Sequence, residues 1–174
     1  MATVTAPLSL EEFHRLYDDV KPYHEYWFGE AVPKSLPNSV HGALQGVLMM
    51  MLHWHGWRPA PEVTLKLVRD AEPIPDIVAS REPLEQPYPT RPFELAVEIR
   101  SPSDLLKKLF TKAQYYLDWG IQNVWIIDPE ARTAWVLTRE HPEPTWIHPD
   151  SSLKIEDIEI SLPEVFGELD KMVC

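Results

Sequence analysis

Cysteine is nearly absent: the chain of 174 residues has one, Cys174 at its last position, which excludes an intramolecular disulfide framework and any cysteine-based zinc site. Glycine is scarce too, with six residues, and these make neither a glycine-rich phosphate loop nor a nucleophile elbow. Long apolar runs are missing. No stretch approaches the roughly 20 residues that a membrane-spanning helix needs, and the first residues lack the basic-then-apolar order of a secretory signal. The expectation is a cytoplasmic protein with no membrane partner. Basic charge is in deficit, with 16 Lys and Arg against 27 Asp and Glu, a formal net charge of -11 at pH 7. Nonspecific nucleic-acid binding is driven largely by Lys and Arg contacts to phosphates, so a nucleic-acid partner would have to be met by a local field. Internal repeats are absent as well.

What is present is ordinary globular material. Hydrophobic residues make up 44%, enough for one sizeable core, and the length predicts a single domain over residues 1–174. Ser9 followed by Glu12 is a capping-box pattern opening a short helix. The aromatic, alternating stretch PYHEYWFGEAV predicts a hairpin turning at Gly29-Glu30. A longer helix is expected from Ser39 to near Gly56, with His41, Leu44, Leu48 and Leu52 on its inward stripe. Val63, Leu65 and Leu67 alternate as a strand would, and the four prolines from Ser80 to Pro92 inclusive predict an irregular loop able to cover a cleft. NVWIID and TAWVLT predict a hairpin, with Asp128 as turn chemistry, and IEDIEISLPEVFGEL a strand and a short helix.

The chain is organised around the segment from Ile74 to Gly120. In PIPDIVAS, Asp76 stands just before a short apolar run, Ile77, Val78 and Ala79, of the kind a buried strand carries. In PFELAVEIRS, Phe93, Leu95, Val97 and Ile99 alternate with Glu94, Ala96, Glu98 and Arg100, which puts Glu98 and Arg100 on one face. Pro102 stops that strand, Ser103 is the expected N-cap of a helix, and Gly120 stands past its end. On a helical projection Leu105, Leu106, Leu109, Phe110, Ala113, Tyr116 and Leu117 fill an arc of about 140°. Lys112 lies about 20° outside that arc, and Lys107 and Lys108 about 60°. Lys112 is thus the lysine best placed to reach inward.

Two carboxylates, Asp76 and Glu98, holding a hard divalent cation beside an ammonium group suit phosphodiester hydrolysis. The cation takes oxygen ligands and polarises the phosphoryl group, and the lysine orients or deprotonates the attacking water and neutralises developing charge. Around these residues Arg100, Lys107, Lys108 and Lys112 outnumber the single acid Asp104 between Ile99 and Tyr116, which reads equally as a phosphate track and as a solvated helix face.

Pro75-Asp76, then Glu98-Ile99-Arg100-Ser101-Pro102-Ser103, then Lys112, Tyr116 and Gly120 at four-residue steps, then VWIIDP, together resemble the Uma2 family of endonucleases. That family belongs to the PD-(D/E)xK, restriction-endonuclease-like superfamily. The likeness extends to HEYWFGEAV and His41, covering residues from about 10 to about 165. It implies an α/β fold with a mixed sheet flanked by helices, and a Mg²⁺- or Mn²⁺-dependent endonuclease acting on DNA. Asp76, Glu98 and the Ile99 carbonyl would be its metal ligands, Lys112 a third catalytic residue, and Glu25, His41, Arg100 and Tyr116 supporting residues. Arg100 stands where the superfamily usually has its lysine. Arginine stays protonated and cannot act as a base, so the resemblance moves the lysine to the following helix, at Lys112. From the residues alone, Glu25 also reads as a strand-surface carboxylate, His41 as a structural histidine and Arg100 as half of a strand-face ion pair. A homodimer is expected, since cutting both strands needs two sites. The alternatives on the same fold are a catalytically inactive nucleic-acid or protein-binding module and a structural homo-oligomer.

Overall fold

The computed structural model describes residues 6–173. Helix α1 (Leu10–Tyr17) begins at the capping box: the Ser9 side chain accepts from the Glu12 N–H and the Glu12 carboxylate accepts from the Ser9 N–H. Strands β1 (His24–Trp27) and β2 (Glu30–Pro33) form an antiparallel hairpin. Its turn residues Phe28 and Gly29 both have positive φ, 49° and 91°, as a two-residue hairpin turn of matching twist requires. Helix α2 (Ser39–Trp54) is capped by Asn38, whose side chain accepts from the His41 N–H. Then come β3 (Arg58–Pro61), β4 (Ala71–Glu72), β5 (Ile77–Ser80), β6 (Leu95–Ile99), α3 (Leu106–Asp118), β7 (Asn123–Asp128), β8 (Thr133–Thr138), β9 (Thr145–Ile147), β10 (Ser152–Ile155), β11 (Ile158–Ser161) and α4 (Leu162–Val173).

The main sheet runs β3-β5-β6-β7-β8-β9. It is antiparallel except for β6 and β7, which are parallel and are therefore joined by a crossover, helix α3. Both faces are covered, which explains the unbroken apolar runs in β5, β6 and β7. Ile77, Ala79, Leu95, Val97, Ile99, Trp125 and Ile127 pack against α2 and α4. Val78, Ala96, Val124 and Ile126 pack against Leu109, Ala113, Tyr116 and Leu117 of α3. Side chains alternate between faces along a strand, so Glu98, two residues after Ala96, faces α3. The pair Ile77 with Val97 leaves Asp76 and Glu98 at adjoining ends of neighbouring strands. This is the mixed α/β, restriction-endonuclease-like architecture expected above. Among the described residues no helix is long and apolar enough to cross a membrane.

Three local expectations are corrected. Val63, Leu65 and Leu67 lie in no strand; β3 takes the place beside β5, with Arg58 opposite Ser80 and Pro61 opposite Ile77. Leu65 is nevertheless buried, and its N–H donates to the Pro73 carbonyl at 2.9 Å. Apolar alternation reports burial, not where the N–H groups find partners. Strand β3 escapes a sequence reading because it carries Pro59 and Pro61, tolerated there because it is the edge strand. Helix α3 starts at Leu106 with Leu105 at the N-cap, rather than at Ser103. Asp104 accepts from the Ser101 N–H at 2.7 Å, and the Asp104 N–H donates to the Ser101 carbonyl at 2.9 Å. That turn occupies the residues meant to open the helix and leaves Leu105 exposed. The loop from Ser80 to Pro92 leaves the end of β5 opposite to Asp76 and supplies none of the residues lining the cleft that holds Asp76 and Glu98.

Gly120 ends α3 at φ +102°, and a Cβ there would stand 2.7 Å from Pro92 Cγ. Gly46 is exposed in the middle of α2, with open space where its Cβ would be. Chemical denaturation should show Gly120→Ala destabilised by about 1–3 kcal/mol and Gly46→Ala stabilised by about 0.5–1 kcal/mol.

Candidate active site

The three acids named from the sequence are all buried: Asp76 and Glu98 are 4% exposed and Glu25 is 6% exposed. All three line one cleft of about 150 Å³ together with Lys34, His41 and Lys112. Asp76 is delivered by the proline-braced approach to β5, Glu98 by the end of β6, Glu25 by β1, His41 by the first turn of α2, and Lys112 by α3.

Asp76 is met by three donors. Its Oδ2 accepts from the Ile99 N–H at 2.7 Å and lies 3.3 Å from His41 Nε2, and its Oδ1 accepts from Lys34 Nζ at 3.0 Å. Burial pushes its pKa up, but the His41 hydrogen bond, the Lys34 and His41 charges and the Ile99 N–H outweigh burial. They hold the carboxyl well below the usual range, so it stays ionised. Gln45, one turn beyond His41, donates to the Asp76 carbonyl at 2.6 Å and fixes its backbone.

Glu98 differs. Its Oε1 accepts from Tyr116 Oη at 2.8 Å and from Lys112 Nζ at 2.9 Å. Burial raises its pKa, to about 7; the Lys112 charge opposes this, and the neighbouring charges of Asp76 and Glu25 add to it. Two carboxylates of one cleft are thus pushed in opposite directions, a mark of functional sites. Burial and the Glu98 charge also push the Tyr116 hydroxyl up, so it remains a proton donor to Glu98.

Lys112 Nζ sits between Glu25 Oε1 at 2.8 Å and Glu98 Oε1 at 2.9 Å. Burial would release its proton, but the two carboxylates prevail and hold it firmly protonated. Glu25 Oε1 also accepts from the Ile74 N–H at 2.6 Å, and its Oε2 from Trp27 Nε1 at 3.0 Å. Lys108 also lines the cleft, but of the helix lysines it is Lys112, the inward one of the helical projection, that reaches Glu25 and Glu98, even though α3 begins later than expected.

Arg100 is not brought into this group. Its Nη1 donates to Asp128 Oδ2 at 2.5 Å, the strand-face ion pair that was one of its two readings. Asp128 also accepts from the Glu130 and Ala131 N–H groups at 3.0 Å, the expected turn chemistry. Lys34 and Gln45 were missed. Gln45 lies four residues after His41 on the same helix face, a usable signal. Lys34, after the end of β2, carried none.

Among the described residues, no three His, Cys, Asp or Glu side chains are arranged to hold a metal ion by themselves. The donors present still suit a hard cation of the Mg²⁺ type, which binds through one or two carboxylates and keeps water and substrate oxygens as its other ligands. Formally the three carboxylates exceed the lysines Lys34 and Lys112 by one negative charge.

Comparison with curated proteins gives no match. Among solved structures, one from Anabaena variabilis ATCC 29413, described as a putative nuclease belonging to DUF820, is similar at TM-score 0.76 and 24% identity, over 94% of this chain and 99% of that one. A cryo-EM structure of a DrdV–DNA complex aligns with 75% of this chain and 11% of its own at 19% identity and TM-score 0.40. The first likeness establishes the fold. The family described as Uma2, "Putative restriction endonuclease", matches residues 10–169, nearly the whole chain, so the chain belongs to the Uma2 family.

Proposed function

We propose that this chain is a divalent-metal-dependent endonuclease that hydrolyses phosphodiester bonds of DNA. The observation carrying this reading is the meeting, in one cleft, of Asp76 and Glu98 at adjoining strand ends with Lys112 from the crossover helix. Asp76, Glu98 and the Ile99 carbonyl would hold Mg²⁺ or Mn²⁺. When bound, the ion supplies Lewis acidity toward a phosphoryl oxygen and a lowered pKa for an attacking water.

The chain's own groups have separable roles. Asp76, ionised throughout the neutral range, would be the permanent anionic ligand of that ion. Glu98 is positioned by the Tyr116 hydroxyl. Lys112 is held protonated, so of the two roles open to it, it orients the water and offsets charge developing on the phosphoryl oxygens rather than acting as a base. Glu25 positions that ammonium from its other side. Lys34 and His41 hold Asp76. Arg100, fixed on Asp128, stays outside the chemistry. Duplex cleavage calls for two such sites, and the assembly is a homodimer with two-fold symmetry.

Plasmid nicking in Mg²⁺ or Mn²⁺ tests the site. Asp76→Asn and Glu98→Gln should each lower the rate by about 100-fold or more while the proteins stay folded, and Lys112→Ala should cost far more than Lys108→Ala. Retained cleavage in both carboxylate variants rejects the assignment. Sedimentation should give a dimer at micromolar concentration; a monomer at every concentration rejects that part alone.

The two carboxylates also predict a pH signature in chelator. Because the folded pKa of Glu98 is raised from 4.5 to about 7, its contribution to stability is fully present below about 4.5 and is lost as pH rises through about 7. The depressed Asp76 acts oppositely, its contribution being present above 3.8 and lost only in stronger acid, outside this window. The melting temperature of the unmutated protein should therefore fall between about pH 5 and 8, and Glu98→Gln should flatten the fall. Parallel curves would show that Glu98 is not the group responsible.

A further inference from the structure

Next to the cleft lies a second concavity of about 560 Å³ that the hydrolytic scheme does not use. It shares Glu25, Val32, Lys108 and Lys112 with the cleft, and its floor is aromatic, formed by Trp27 and Phe28 of the β1–β2 hairpin and Tyr115 of α3. The Tyr115 ring centroid is 5.1 Å from that of Phe28 and 5.6 Å from that of Trp27, and Trp119 stacks beneath, 5.7 Å from Tyr115 and 5.6 Å from Trp27.

Phe28 is 49% exposed and is fixed rather than loose. It sits at φ 49° in the hairpin turn, its N–H donates to the Asp70 carbonyl at 2.7 Å, and the adjoining Gly29 carbonyl accepts from the Leu8 N–H at 2.9 Å. The fold thus holds a large apolar ring open to solvent in a backbone conformation uncommon for a bulky residue. The aromatic floor is also wired to the cleft: the Trp27 indole donates to Glu25 Oε2, and Glu25 Oε1 accepts from Lys112. Lys107 and Lys108 stand exposed along one wall, and Glu30 is the acid at the hairpin rim.

We infer that this groove binds an unpaired nucleobase of the strand being cut, stacked on Phe28 and Tyr115, with Lys107 and Lys108 on its backbone phosphates; the inference rests on the nuclease reading above. Aromatic rings beside lysines match a nucleotide's two chemistries, a flat π-face and an anionic linker, and every base has such a face. In a duplex both faces of each base are covered by stacking. A platform of rings next to the hydrolytic cleft therefore selects a single-stranded, frayed or extruded nucleotide over a paired one. The two lysines also give an acidic protein a local positive wall where the strand must pass.

The test measures, by fluorescence anisotropy in chelator, binding of a short labelled single-stranded DNA, its RNA counterpart and the duplex of the same sequence. The intact protein should bind single strands more tightly than duplex. Phe28→Ala and Tyr115→Ala should each weaken single-strand binding about tenfold, with duplex binding nearly unchanged. Thermal unfolding checks each variant, and Phe28→Asn, which tolerates positive φ, replaces Phe28→Ala if that protein does not fold. A preference for DNA or for RNA identifies the source of the base, and either supports the groove. Unchanged single-strand binding in folded variants, equal losses for single strand and duplex, or no binding of any oligonucleotide overturns the inference. Asp76→Asn separates the two readings. If it abolishes cleavage while the ring variants bind normally, only the groove is wrong. If it still cleaves while the ring variants lose single-strand binding, only the metal-site assignment is wrong.

Discussion

Burying Glu25, Asp76 and Glu98 in one cleft sets the constraint that the rest of the fold answers. A buried carboxylate left without a partner costs several kcal/mol, so cations and donors must converge from separate parts of the chain. Lys34 comes from beyond β2, His41 from α2, Lys112 and Tyr116 from α3, and backbone N–H groups from Ile74 and Ile99. The hairpin, the long helix, the sheet ends and the crossover helix are thereby tied at one rim. The same convergence fixes the side chains within hydrogen-bonding distances of one another.

The position of the positive charge follows from this arrangement. In a buried sheet end, a guanidinium at position 100 finds Asp128 on the neighbouring strand and stays there. The cleft still requires an ammonium group, and the helix that must follow a parallel crossover passes directly over the Glu98 face. Lys112 of that helix reaches Glu98 Oε1 at 2.9 Å.

Much of the fold was legible because burial writes itself into the sequence. The apolar runs of β5, β6 and β7, the capping box at Ser9, the helix stripes and the β1–β2 hairpin were all visible, the hairpin turning at Phe28-Gly29, one residue before the expected Gly29-Glu30. What escaped reading was decided by backbone hydrogen bonding. Val63 to Leu67 has a strand's alternation but bonds to loop carbonyls, whereas Arg58–Pro61, with its two prolines, is a strand because it sits at an edge. Ser103 resembles an N-cap, yet Asp104 and Ser101 close a turn first.

For the site, the sequence by itself determined that Asp76 precedes a buried strand, that Glu98 shares a strand face with Arg100, and that Lys112 is the inward lysine of its helix, because strand period and helix phase depend only on residue order. Only the tertiary structure decided their company: that Lys34 pairs with Asp76 across 42 residues of chain, that Glu25 and Glu98 clamp Lys112 and keep it charged, and that Arg100 turns to Asp128. Pairing between distant segments depends on how the layers are stacked, and no local pattern encodes which buried charge will find which partner.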